Sequence, residues 1–566
     1  MSSIGIDRSG NGNNWTSNNL TQYDVMVDSP TNNFCVLNPL TTDLSAQSEG
    51  NLQKIGTDNK ANIGTFGVST GKWYFEVYIN TGSYSPYFGL TPESNDSDRG
   101  GSYAEAGRAF AGGSDGYYKT YTGSSISGLS SLSSAIGNVW GIAYDCDAGT
   151  IKYYINNSLK YTDTTLPTGV EVFPLFLNTT SGNNTWRISN ANFGADSSFA
   201  GNKTPQVNSD SNGIGDFYYA PPTGFLALCT ANLPEVDVIP SENFNPVLYT
   251  GNGSNGHAIG AVGFQPDLVW TKERSGVSHN ALVDVVRGVS KQIYSNLTVA
   301  EEVVSGVTAF GTDGFTLGAN NTANENGQTY VAWNWKAGGN AVSNTNGTIT
   351  SSVSANVDAG FSIATFTLPT SAQTIGHGLS KPPELVIQKG RATGSAWWSF
   401  VKPVGNTKAL RLDSSSSSVT SQNFWNNTDP TSTVVTIGAG SGSNNSWLMY
   451  CFHSVEGYSK VGSYVGNGNV DGVYVNCGFS PAVIITKSTG SGGWRIIDNK
   501  RTPFNPSKAS LYPDSNDGEY TGSGHETDFT ANGFKMRNSN SRLNTNGQKY
   551  IFLAFAESPF KNSNAR

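Results

Sequence analysis

Tyr330-Val331-Ala332-Trp333-Asn334-Trp335, Trp447-Leu448-Met449-Tyr450-Cys451-Phe452 and Tyr550-Ile551-Phe552-Leu553-Ala554-Phe555 are three runs of one kind. Each starts and ends on an aromatic and carries no charge. Runs this short and this apolar read as strands covered on both faces. A proline lies 69 to 74 residues before the last aromatic of each run, a lysine 6 residues after that proline, and a further aromatic 17 residues before it. The three frames are Tyr249, Pro266, Lys272 and Trp335; Phe366, Pro383, Lys389 and Phe452; Tyr464, Pro481, Lys487 and Phe555. A frame with this regularity predicts one β domain used three times, over residues 244–340, 341–456 and 457–566. Catalytic machinery is rarely built in three near-equal copies, whereas rods, adhesins and particle components often are.

Each copy is strand-like throughout. Leu268-Val269-Trp270, Leu385-Val386-Ile387 and Val483-Ile484-Ile485 follow the prolines. Asn326-Gly327 and Asn546-Gly547 are turn signals before two of the closing runs. Asp313-Gly314-Phe315 and Asn532-Gly533-Phe534 mark a second shared turn, which the middle copy lacks. The segment between the first and second copies, residues 340–354, is rich in Ser, Thr and Asn. Residues 295–305 are the best candidate for a helix.

Upstream, residues 71–195 predict a compact β-sandwich. Trp73-Tyr74-Phe75-Glu76-Val77-Tyr78-Ile79 is a strand, and Asp145-Cys146-Asp147-Ala148-Gly149 joins two more as a hairpin turn. Residues 196–243, broken by Pro205, Pro221-Pro222 and Pro234, read as a linker. Residues 1–70 are polar and turn-rich and read as an N-terminal arm or attachment region, tied to its own domain or to a neighbouring subunit.

Composition narrows the function. Charged residues make up 13 % of the 566, about half the usual share near 25 %. The 12 Trp, 25 Tyr and 27 Phe argue against disorder. A net charge of -8 without basic runs gives no electrostatic reason to expect nucleic-acid binding. Neither a secretory signal nor membrane insertion is expected. The five cysteines form no CxxC and the five histidines are scattered, so neither a metal site nor a cofactor is expected.

No GxSxG or HExxH is present, and no local pattern pairs Glu76, Asp145 or Glu171 as glycosidase carboxylates. Asp145 and Asp147 read as turn residues and not as calcium ligands. Catalytic residues are therefore not expected, and the chain reads as a non-enzyme. Lys272, Lys389 and Lys487 read as strand-ending lysines that snorkel to water. His377 and His453 read as structural, and His279, seven after its lysine as Trp494 is after Lys487, as packing. The ligand-binding candidates are aromatics in Gly/Ser loops: Tyr103, Tyr117, Tyr118 and Tyr121, with Trp397, Trp398 and Trp425 in the middle copy.

Two resemblances add to this reading. Gly71-Lys72-Trp73-Tyr74-Phe75-Glu76-Val77, Trp140-Gly141-Ile142-Ala143-Tyr144-Asp145, Tyr154-Ile155-Asn156, Val172-Phe173-Pro174 and Asn192-Phe193-Gly194 together resemble the SPRY domain, a β-sandwich binding module. The opening Asp7-Arg8-Ser9-Gly10-Asn11-Gly12-Asn13-Asn14-Trp15 and the stretch Ala332-Trp333-Asn334-Trp335-Lys336-Ala337-Gly338-Gly339 resemble structural proteins of marine tailed phages. That resemblance implies a virion protein, assembled in the host cytoplasm and released by lysis. The expected role is a tail fibre or receptor-binding protein. Its partners would be other virion proteins and a host surface glycan or protein, and a homotrimer is expected. The alternatives are a capsid-decorating or head-fibre protein and a glycan depolymerase.

Overall fold

The computed structural model describes residues 5–7, 9–16, 18, 28–29, 31–41, 46–56, 61–81, 86–92, 108–113, 116–127, 135–177, 187–368, 370–439 and 445–562. The chain is all-β and divides into two compact units, Met1–Pro234 and Glu235–Arg566.

The first unit is a β-sandwich of an eight-stranded and a six-stranded sheet. Lys72–Thr81 lies in the larger sheet, antiparallel to Val139–Asp145 on one side and to Arg187–Asn192 on the other. Its inward rings meet those of the second sheet: Phe75 packs on Phe176 and Phe193, and Phe88 on Trp140. The Asp145 carboxylate accepts from the amides of Asp147 and Ala148 and pairs with Lys72 at 3.2 Å, so it caps the hairpin turn. The described residues of the arm from Asn32 onward and of the linker up to Pro234 are part of this sandwich. Ala46–Ser48, Gln53–Gly56 and Ala61–Ile63 add strands to its sheets, and Phe34 bridges Cys229. Residues 196–234 contradict the linker expectation. Phe199, Phe217 and Phe225 are buried, and Leu226–Ala227 pairs with Lys72–Thr81.

The second unit holds three modules with a common strand order. In each, the strand after the proline pairs with the closing run, and the closing run also pairs with the module's first strand. Module one aligns Phe244–Thr250, Thr329–Trp335, Leu268–Glu273 and Ala281–Asp284. Module two aligns Phe361–Leu368, Asn445–Phe452, Leu385–Gly390 and Trp398–Val401. Module three aligns Ser459–Val465, Lys549–Pro559, Phe479–Ser488 and Arg495–Asp498. Each carries a smaller sheet beyond this one. The shared Asp/Asn-Gly-Phe turn belongs to that smaller sheet in modules one and three. A Cβ on Gly314 would lie 1.9 Å from the Ile259 carbonyl, and one on Gly533 2.0 Å from that of Val475, so both positions require glycine.

The alternation of side chains along these strands splits the apolar residues into two sets. One set fills a core inside each module. The first aromatic of each frame belongs there: Tyr249 stacks on Tyr330 at 5.1 Å and Tyr464 on Tyr550 at 5.0 Å, while Phe366 joins the core of module two. The other set forms one core common to all three modules. The last aromatics meet there, with Phe555 5.7 Å from Trp335 and 6.0 Å from Phe452. A cavity of about 20 Å³ lies among Trp270, Trp335, Trp397, Phe452, Trp494 and Leu553, room for about one water but with no polar lining to hold it.

The lysines do not snorkel. Lys272, Lys389 and Lys487 are all fully buried. Each ammonium donates to carbonyls of its own loop and to one from another module. Lys389 reaches Thr298 O at 3.0 Å, Lys487 reaches Ser416 O at 3.0 Å and Lys272 reaches Asn516 O at 3.2 Å. Module two thus holds a loop of module one, module three a loop of module two, and module one a loop of module three. The cycle closes within one chain. Burial pushes each lysine down to about 8. Residues 295–301 are one of these loops and not a helix. The β-branched Thr298 and Val299 disfavour helix, and the backbone carbonyls of Tyr294 and Thr298 are taken by Trp397 and Lys389. Among the described residues the α-helices, Asn321–Asn324 and Gln422–Trp425, are single turns.

Candidate functional site

Module two differs from its neighbours by two added strands. Val342–Asn344 and Ser351–Asn356, from the Ser/Thr/Asn-rich segment, extend its large sheet beyond Phe361–Leu368. One side of these strands carries Val353 and Ala364 into the module core. The other side carries hydroxyls. Ser343 pairs with Ser352 and Ser352 with Thr365, so the three stand in a row across three strands; Thr367 pairs with Ser446 one step further out. Along Phe361–Leu368 this side starts at Phe361 and Ile363 in the common core and emerges at Thr365 and Thr367.

The result is an open groove of about 350 Å³, lined by Ser343, Thr350, Ser352, Thr365, Thr367, Ser446 and Arg391. Arg391 closes one end. Its Nε and Nη2 donate to Glu301 of module one at 3.0 and 2.9 Å, and its Nη1 to Ser446 Oγ at 3.1 Å. Burial pushes Glu301 up, but Arg391 and Arg287 outweigh it and hold the carboxyl below its ordinary range. The guanidinium is thereby neutralised and fixed. Hydroxyls both donate and accept, so the groove matches polar, uncharged partners. None of the described residues lining it is a carboxylate, so it offers no acid–base pair for glycoside cleavage.

The aromatic candidates lie elsewhere, and three of them are not available to a ligand. Trp397 is fully buried in the common core with Nε1 on Tyr294 O at 2.8 Å. Trp425 is buried against Phe400, its Nε1 on Lys408 O at 3.1 Å. Tyr118 is buried between Tyr153 and Tyr161. Large rings in Gly/Ser-rich sequence suggest exposed platforms, but these three cover the strands beside them. Trp398 is half-buried, stacked on Phe424 at 4.1 Å. Tyr117 is half-buried with its hydroxyl 2.7 Å from Ser125 Oγ, and Tyr121 is half-buried. Tyr103 lies outside the described residues.

Glu76 is a strut. Burial raises it to about 7, although its two oxygens accept from the amides of Tyr218 and Tyr219, the Tyr74 hydroxyl and Asn192 Nδ2. It pins residues 218–219 to the sandwich. His377 is pushed down to about 4 by burial and joins Thr431 O to the Leu379 amide. His279 contacts Asn296 and Tyr294.

Residues 239–559 match the family described as "Domain of unknown function (DUF7483)". No curated protein matches the chain. Among solved structures, the crystal structure of the TRIM65 PSpry domain is similar at 13 % identity, covering 28 % of this chain and 89 % of that one with a TM-score of 0.21. A likeness this slight carries no argument about function.

Proposed function

Since the chain belongs to the DUF7483 family, whose description assigns no activity, we propose its function from its own residues: a phage virion structural protein of the tail-fibre or receptor-binding type, acting by adhesion to the host surface. The observation that carries the reading is the hydroxyl-lined groove of module two, walled by strands its neighbours lack. The resemblance of the opening and of the modules to structural proteins of marine tailed phages supports the virion setting. The interlocked modules would serve as a stiff carrier for that groove. Self-association, expected as a trimer, would multiply weak contacts into avidity. It would have to use surfaces other than the frame aromatics, which one chain buries by itself. The test is adsorption. Purified protein is expected to bind host cells and to compete with phage attachment. Absence of both would remove the adhesin reading, and immunogold labelling of the head would favour a decorating role.

A further inference from the structure

Building on the adhesion reading, we propose that the module-two groove is a glycan site that takes uncharged sugar residues. The hydroxyls of Ser343, Thr350, Ser352, Thr365 and Thr367 share the groove, and among the described residues none of them has a hydrogen-bond partner. Ser351, on the adjacent register, is different: its hydroxyl is buried and spent on Gly376 O at 2.7 Å. Strands lie about 4.8 Å apart, so the row Ser343–Ser352–Thr365 spans roughly 10 Å, the length of about two hexose units.

The chemistry of the walls selects the ligand. The one charged residue among the described lining, Arg391, has Nε and Nη2 on Glu301 and Nη1 on Ser446. A carboxylate or phosphate brought into the groove would lose water and meet no free countercharge. An apolar ligand would strand the hydroxyls. A neutral sugar carries the same group as the wall and can donate and accept at each position. The place is also specific to this module. In module one the positions of Thr365 and Thr367 are Leu248 and Thr250, and in module three Ser463 and Val465, and neither module has the two walling strands. A peptide could instead add to the edge strand Val342–Asn344. That would use the strand's backbone edge and leave the hydroxyl row on the sheet face unused.

The test uses the full chain. Methyl glycosides of glucose, galactose, mannose and N-acetylglucosamine, with the corresponding disaccharides, are titrated by saturation-transfer NMR and calorimetry beside glucuronate and an extended peptide. Saturable binding of at least one neutral sugar is expected. The Ser352→Ala, Thr365→Val double variant is expected to weaken it at least tenfold, while Thr250→Val in module one leaves it unchanged. No saturable sugar binding, a preference for glucuronate or the peptide, or full affinity in the double variant would overturn the proposal. Unchanged melting temperatures guard against misfolding. Cell adsorption separates the two claims. If the wild type adheres to host cells but binds no neutral sugar, the groove proposal fails and adhesion stands. If the wild type binds sugar but not cells, adhesion fails and the groove stands.

Discussion

Among the described residues, two junctions of the ring have ion clusters at their centre and the third has none. Between modules one and two, Arg287 holds Asp284 at 2.6 Å and Glu301 at 3.1 Å, and the Tyr450 hydroxyl donates to Asp284. Between modules three and one, Arg501 holds Asp498 at 2.7 Å and Glu519 at 3.0 Å, and Trp333 Nε1 donates to Asp498. At the corresponding places between modules two and three stand Val401, Val404 and Leu553, apolar residues of the common core or packed against it. The outer pairs follow suit. Arg391 and Arg274 meet Glu301 and Glu519, whereas the third position is Thr489, joined to Ser418 through backbone. What is constant at all three junctions is the buried lysine on a foreign carbonyl. One junction therefore closes without an ion cluster, and the clusters distinguish the other two from it.

This contrast can be broken by substitution. Asp284→Ala leaves Arg287 buried beside a lost partner and should cost about 3–5 kcal/mol in denaturant unfolding. Grafting the apolar junction onto it, Asp284→Val with Arg287→Val and Tyr450→Leu, should recover most of that loss, because neither an uncompensated charge nor an orphaned hydroxyl remains. A graft as damaging as the single change would mean that the clusters do hold the ring together. At the apolar junction, Leu553→Ala should cost about 2–5 kcal/mol by opening a cavity beside the existing one.

Smaller effects follow from single polar groups. Asn544 Nδ2 donates to Asn467 Oδ1, Asn469 O and Asn538 O, as Asn324 does to Asn252 Oδ1, Ser254 O and Gly318 O. Asn544→Ala should therefore lose about 1–3 kcal/mol, with Asn324→Ala matching it. The lysines predict a pH dependence. Folded, they release protons near 8, against 10.5 when exposed. Between those values the unfolded chain holds more protons, so melting temperature should rise from pH 8 to about 9.5, and the gain should be absent below pH 8. Lys487→Met should flatten part of that rise; an unchanged slope would mean that the ammonium is not buried. The smallest effect is expected at Lys402, which is 69 % exposed and pairs with Glu384. Lys402→Ala should cost less than about 1 kcal/mol.

Much of the fold was legible in the sequence. The apolar closing runs, the post-proline strands and the Asp-Gly-Phe turn are local patterns, and each lies where the pattern predicts. What the sequence hid is what depends on distant residues. A strand-end lysine looks the same whether its ammonium meets water or a carbonyl 71 to 244 residues away. Trp397 gave no sign that a loop of module one would cover it. The fourth place of the closing run, Trp333, Tyr450 and Leu553, shows in hindsight which junctions are polar, but only beside Asp498, Asp284 and Val401. The groove is half visible in the sequence: Ser343, Thr350 and Ser352 lie in the Ser/Thr/Asn-rich segment, while Thr365, Thr367 and Ser446 lie outside it. That Ser343 and Ser352 pair in register beside Thr365 could not be read from composition.

The claim that the three modules form one interlocked ring is tested most directly by calorimetry of the intact chain with and without Asp284→Ala. The account predicts that residues 235–566 melt in a single transition, which the substitution shifts downward as a whole. Separate transitions, with that of module three unmoved, would contradict it.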